Sequence, residues 1–178
     1  MYKLLILDVD GVLTTGLKTY DVNGNVTSKT FGDRDFTAIK QFMCSGIQVI
    51  FLSGDQQVNS KVAEKRHLSF FYSRRDSGQL SKAECANEIL KKYSLLPENT
   101  IFVGDDLFDA EMRKYCKLMA CPSNSHYLMK RCSDVILETS SGMGCIQELY
   151  EYMITKNLIN EASIESVILR DSEESVKY

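Results

Sequence analysis

Two carboxylates one residue apart, Asp8 and Asp10, close the apolar run of the N-terminal segment MYKLLILDVDGVLTTG. Leu4 to Leu7, bounded by Asp and Gly, read as the first buried strand of a parallel sheet. Ligands of such sheets bind beyond the carboxyl ends of the strands, which makes both acids site candidates. A sharp turn after Asp8, permitted by Gly11, swings Asp10 over the same pocket. Three further strand ends carry polar groups: Ser53 and Gly54 in FLSGD, the segment leading to Lys82, and Asp105, Asp106 and Asp109 in GDDLFD. Acids on the first and fourth ends, with a hydroxyl and an amine between, outline a site for Mg²⁺ and phosphate, since Mg²⁺ takes hard oxygen ligands and keeps several waters. Each signal alone has a plainer reading. Ser53-Gly54 is an ordinary turn, Lys82 a solvated helix residue, and Asp105-Asp106 a helix N-cap. Their joint order carries the argument.

The elements that must position these groups alternate between strand and helix. After the first strand, Thr19 to Phe31 alternates polar and apolar residues around Asn23-Gly24, which predicts a projecting β-hairpin with a type I′ turn. A helix follows over Phe36 to Gly46, then a buried strand over Ile47 to Ser53. A polar helix over about Gln56 to Arg66, a short strand at SFFY and a helix over about Ser81 to Tyr93 lead to the strand TIFVGDD. A helix over Leu107 to Cys116, strand KLMAC, a helix over Asn124 to Cys132, strand DVILE and a helix over Gly144 to Thr155 complete the pattern. This is an α/β chain: a Rossmann-like, mainly parallel sheet flanked by helices, with right-handed crossovers and a hairpin flap.

Length and composition set the outer bounds. At 178 residues, 44% of them hydrophobic, the chain is expected to form one domain over 1–156. Residues 157–178 read as a frayed, charged tail, with the cluster Val167 to Leu169 leaving docking on a neighbouring subunit as the second reading. A net charge of -3 and a pI near 5.5 offer no basic face for nucleic acid, and no apolar run is long enough to span a membrane. The N-terminal apolar stretch is cut by Asp8 and Asp10, unlike a secretory signal, and a cytoplasmic location is expected. Six cysteines without a CxxC pair, and His67 and His126 far from ligand-like spacing, argue for buried thiols and against zinc.

The ordered set DVDGV, Ser53 of FLSGD, Lys82 and GDDLFD resembles the four motifs of the haloacid dehalogenase phosphohydrolase superfamily. The resemblance implies that Asp8 is the nucleophile of an aspartyl-phosphate intermediate and that Asp10 protonates the leaving oxygen, then deprotonates the attacking water. It implies Mg²⁺ held by the Asp8 side chain, the Asp10 backbone carbonyl and Asp105, with Asp106 and Asp109 in support, and phosphoryl oxygens gripped by Ser53 and Lys82, with Gly54 beside them. Only the hairpin, about 17–31, separates the first strand from the next helix, so no large cap domain is inserted. A capless chain with a hairpin flap resembles the 3-deoxy-D-manno-octulosonate 8-phosphate phosphatases and the related enzymes for nine-carbon keto-sugar acids, over about Tyr2 to Tyr152. Members of that group are tetramers in which a neighbour helps close the site.

On that resemblance the substrate is a phosphorylated 2-keto-3-deoxy sugar acid of lipopolysaccharide or sialic acid synthesis, octulosonate 8-phosphate or a sialic-type 9-phosphate. Arg34, Asp35, Asp55 and Arg66 are the candidate substrate residues, and Lys61, Arg74 and Arg75 are further cations for its carboxylate. Three departures bear on the substrate: Phe36 where the group's RDG has Gly, Asp55 where octulosonate members carry Arg, and Gln147 in place of an Arg in the late segment SGMGCIQE. Asp55 leans toward a nine-carbon acid. The alternatives are a phosphatase for a heptose phosphate or nucleotide, and a non-catalytic partner of a sugar cytidylyltransferase.

Overall fold

A computed structural model describes residues 1–74 and 81–175, so Arg75 lies outside the described residues. Six parallel strands form the central sheet in the order β5-β4-β1-β6-β7-β8: β1 Leu4–Leu7, β4 Gln48–Ser53, β5 Ser69–Tyr72, β6 Thr100–Val103, β7 Leu118–Cys121 and β8 Val135–Ile136. Strand side chains alternate between faces, so β1 feeds two cores. Leu5 and Leu7 pack with Val49, Phe51, Ile101 and Val103 under α1 (Asp33–Cys44) and α5 (Cys145–Thr155). Leu4 and Ile6 pack with Ile50, Leu52 and Phe102 under α3 (Lys82–Tyr93) and α4 (Tyr127–Cys132). All four β1 side chains are fully buried, each such burial contributing about 1.5–3 kcal/mol.

The sheet order explains the site. β1 pairs with β4 on one side and β6 on the other, so the ends carrying Asp8, Ser53 and Asp105 are adjacent at one edge. Among the described residues nothing larger than the hairpin, β2 (Thr14–Tyr20) and β3 (Val26–Phe31), is inserted into the α/β body. Its turn differs from the expected type I′. Asp21 N–H donates to the Asn25 carbonyl and Gly24 N–H to that of Asp21, making Val22–Asn23–Gly24 a three-residue loop with Gly24 left-handed. The Asp21 carboxylate accepts the Asn23 and Asn25 amides, a local bond set that favours the longer loop.

Two other segments depart from expectation. Leu107–Tyr115 is a 3-10 helix rather than an α-helix, capped by Asp106, whose carboxylate accepts the Leu107 amide. Within the segment expected to fray, Ile164–Ser175 forms α6 against α1 of the same chain. The buried Lys40 ammonium pairs with Asp171 and, at 2.7 Å, with Glu174, while Arg66 of the α2 end (α2, Gln57–Lys65) reaches Glu174 at 3.4 Å. Among the described residues no helix is long and apolar enough to cross a membrane.

Candidate active site

The turn after β1 brings the first two carboxylates together. The amides of Leu13 and Thr14 both point at the Val9 carbonyl, 3.0 and 3.1 Å away, which folds the chain back at Asp10 and Gly11. Gly11 has φ +82°, and a Cβ there would stand 2.0 Å from Asp105 Oδ2. Only glycine admits the Asp105 carboxylate at this distance.

Lys82 opens α3 behind a capping box, in which Ser81 Oγ accepts the Glu84 amide and Glu84 Oε2 accepts the Ser81 amide. The box aims Lys82 Nζ at Asp8 Oδ1, 3.0 Å away, and at Asp109 Oδ1. Asp109 is fully buried, and its second oxygen accepts the amides of Asp105 and Asp106 at 2.9 and 3.1 Å. It therefore shapes the turn that presents Asp105. Gly104 permits this packing, since a Cβ there would meet Asp109 at 2.6 Å.

Burial dominates the electrostatics. It lifts the Asp8 carboxyl to about 7, with Asp109 adding repulsion and Lys82 pulling back. Burial and then repulsion from Asp8 and Asp109 lift Asp105 to about 8. Burial alone would lower the Lys82 ammonium, but Asp8 and Asp109 outweigh it and hold the group above its ordinary range. Carboxylate oxygens of Asp8, Asp105 and Asp109 lie within 4.8 Å of one another, and buried Asp105 Oδ1 has no hydrogen-bond donor among the described residues. An all-oxygen donor set with a lone buried acceptor fits a hard divalent cation such as Mg²⁺. Because both Asp109 oxygens are already bonded, Asp8 and Asp105 are the side chains left to hold it.

Ser53 ends β4, and its Oγ accepts Asn59 Nδ2 at 3.0 Å and the Asp55 amide at 3.2 Å. The hydroxyl hydrogen remains for an anion. Asp8, Ser53, Lys82 and Asp105 line a cavity of about 650 Å³ together with Asp10, Lys18, Gly54, Asp55, Ser73, Arg74, Asp106, Leu107 and Phe108. Of the sequence candidates, Asp8, Asp10, Ser53, Gly54, Asp55, Lys82, Asp105 and Asp106 share this cavity, and Asp109 stands behind it.

Three substrate candidates, and the further cation Lys61, fall elsewhere in this chain. Asp35 is buried with its oxygens on the Gly144 and Ile146 amides, 3.1 and 2.8 Å away, anchoring the N-terminus of α5. Arg66 stacks over the Phe36 ring, 4.1 Å from its centroid, and pairs with Glu174. Arg34 is exposed beside Gly144, and Lys61 is exposed on α2. Phe36 itself is core, stacked on Phe31 at 5.8 Å.

Sequence reasoning missed Lys18, Lys29 and Asn59. Lys29 Nζ bonds Asp10, Asp55 and Asn59 at 2.8–2.9 Å, and Lys18 Nζ reaches Asp55 at 2.9 Å and Asp10 at 3.4 Å. The hairpin alternation showed that Lys18 and Lys29 had faces, but not which face folds over the sheet edge.

Residues 76–149 match the family model of haloacid dehalogenase-like hydrolases. The 3-deoxy-D-manno-octulosonate 8-phosphate phosphatase of Escherichia coli K12 is 30% identical over 166 residues, 93% of this chain and 86% of that protein. The same-named phosphatase of Haemophilus influenzae is 31% identical over 154 residues, 85% of this chain and 82% of that protein. The cobalt-bound structure of the Haemophilus influenzae deoxy-D-mannose-octulosonate 8-phosphate phosphatase superposes with a TM-score of 0.78 at 30% identity, over 87% of this chain and 85% of that one.

Proposed function

This chain belongs to the haloacid dehalogenase-like phosphatases, and we propose that it hydrolyses the phosphomonoester of a 2-keto-3-deoxy sugar acid, octulosonate 8-phosphate first, by way of an aspartyl-phosphate on Asp8. The observation that carries the chemistry is Lys82, whose one ammonium touches Asp8 and leaves an N–H for the phosphoryl group. Names of relatives at 30 and 31% identity over most of their length support the substrate.

In the first displacement an Asp8 oxygen bonds phosphorus, the ester P–O bond breaks, and the departing oxygen takes a proton from Asp10. In the second, water bonds phosphorus, its proton passes to Asp10, and the acyl phosphate P–O bond breaks to return Asp8 and free phosphate. Lys82 and the Ser53 hydroxyl hold the phosphoryl oxygens. Asp8, Asp105 and the Asp10 carbonyl expected from the resemblance would hold Mg²⁺, which would supply the positive charge that lets two anions meet. The cobalt of the Haemophilus influenzae structure supports a divalent ion. Arg74, on the cavity wall against Gly54, is the cation suited to the substrate carboxylate.

Asp55 favours a second reading, a nine-carbon keto acid, because the cavity presents a carboxylate paired with Lys18 and Lys29 where octulosonate enzymes are expected to carry Arg. A homotetramer is part of the proposal and is supported by the exposed hairpin side chains Leu17, Tyr20 and Val22. So is a cytoplasmic setting, which suits cysteines that form no disulfide among the described residues.

Phosphate release is to be measured with and without Mg²⁺ on octulosonate 8-phosphate, a sialic acid 9-phosphate, a heptose phosphate and an aryl phosphate. A strong, Mg²⁺-dependent preference for one keto acid, lost in a folded Asp8→Asn variant, is the expected result. Equal, feeble turnover of all four would overturn the substrate class and leave the chemistry.

A further inference from the structure

Two buried lysines serve this site, and they differ in what their donors have left to do. Lys82 gives its N–H groups to Asp8 and Asp109, with one to spare. Lys29 arrives from the other side on β3 of the hairpin, and its side chain is 0% exposed. Its ammonium bonds Asp10 Oδ2 at 2.9 Å, Asp55 Oδ2 at 2.9 Å and Asn59 Oδ1 at 2.8 Å, and also lies 2.8 Å from Asp10 Oδ1. Three N–H donors face four oxygens on three side chains, so none remains for a phosphoryl oxygen.

Asn59 closes the network. It is fully buried on α2, and its Nδ2 reaches both Asp10 Oδ2 and Ser53 Oγ at 3.0 Å. Asp10 is thus fixed from two directions, by an ammonium carried on the hairpin and by an amide tied to the phosphate-gripping serine. The Asp10 and Asp55 carboxylates share Lys29 and Lys18, two charges against two. Without Lys29 the two acids would repel across a buried gap that the hairpin no longer fills.

We propose that Lys29 is a positioning residue for Asp10: by binding Asp10, Asp55 and Asn59 at once, it makes closure of the hairpin and placement of the acid–base carboxylate a single event. The inference rests on the proposed role of Asp10 and adds a residue that touches no reacting atom. A misplacement on the order of 1 Å at such a group costs roughly 10²-fold in rate. The cost falls on both displacements, and kcat/KM, which ends with departure of the leaving group, isolates the first of them. An alkoxide leaving group needs the proton of Asp10, whereas p-nitrophenolate departs without it.

The test compares the full-length wild type, Lys29→Met, Lys29→Arg and Asn59→Ala on octulosonate 8-phosphate and on p-nitrophenyl phosphate, with Mg²⁺ present. If wild type ignores the first substrate, the substrate proposal fails and the best alkyl phosphate of the panel takes its place. Lys29→Met is expected to lose about 10²-fold in kcat/KM on the alkyl ester, at least ten times more than on the aryl ester, whose leaving group departs unassisted. Lys29→Arg is expected to recover part of the alkyl rate, and Asn59→Ala to show the same leaving-group bias more weakly. Thermal unfolding checks each variant, and should Lys29→Met fail to fold, the Lys29→Arg and Asn59→Ala pair decides. Equal losses of kcat/KM on both esters would overturn the proposal. Wild type that cleaves no phosphate ester would instead overturn the catalytic reading beneath it.

Discussion

The Lys82 ammonium stands 3.0 Å from Asp8 Oδ1 and simultaneously bonds Asp109 Oδ1, so one buried cation serves both the proposed nucleophile and the acid that shapes the Asp105 turn. Activity and stability are therefore coupled at this lysine. Lys82→Met is expected to lower kcat by 10²-fold or more and to lower the unfolding midpoint, because two buried carboxylates lose their common partner. Lys82→Arg should recover little, since a planar guanidinium does not replace a compact ammonium between two fixed acids. Kinetics and thermal melts on both variants check this. A Lys82→Met enzyme with wild-type kcat would remove the residue from the chemistry.

A metal-free chain should weaken as pH rises. Asp8 and Asp105 release their protons at about 7 and about 8 in the fold, against 3.8 ordinarily, with burial the first cause. Between about pH 4 and 8 the folded chain binds more protons than the unfolded one, so stability falls with pH across that window. Mg²⁺ bound at these acids would replace those protons with a metal charge. In chelator the midpoint is expected to drop from pH 5 to pH 8, and Mg²⁺ at about 100 times its Kd to restore roughly 5–10 °C at pH 8, with less at pH 5 where protons compete. A midpoint indifferent to Mg²⁺ at pH 8 would argue against a metal at these acids.

Asp35 separates a structural role from the expected substrate role. With its oxygens on the α5 amides, Asp35→Ala should cost about 1–2 kcal/mol, a fall of roughly 2–8 °C, and leave KM nearly unchanged. A tenfold rise in KM at an unaltered midpoint would return Asp35 to the substrate.

The α6 clamp gives the last prediction. Lys40 is buried against Asp171 and Glu174, and Glu174 also meets Arg66. Glu174→Gln is expected to lower stability by roughly 1–3 kcal/mol, because the lysine loses its better-shielded carboxylate, while phosphate release below the melt is unaffected. Exposed Asp171→Asn should cost less. Urea melts of the two variants decide the order.

Much of this molecule was legible in its residues. The apolar runs of β1, β4 and β6 end in Asp8, Ser53 and Asp105, and strand alternation with intervening helices made their convergence at one sheet edge a consequence of parallel topology. Lys82 was readable because its place in the motif order is local information. Gly11 announced the turn that the structure shows. By contrast, Lys29 and Asn59 lie 19 and 49 positions from the Asp10 they hold, and Asp35 reaches α5 across 109 and 111 positions. Nothing in the neighbourhood of a lysine on a polar hairpin, an asparagine on a polar helix or an RD pair states which distant groups will meet it. Local propensity and hydrophobic period select elements and direct their apolar faces inward. The pairing of polar side chains follows from where whole elements come to rest against one another, and that was decided by the tertiary fold.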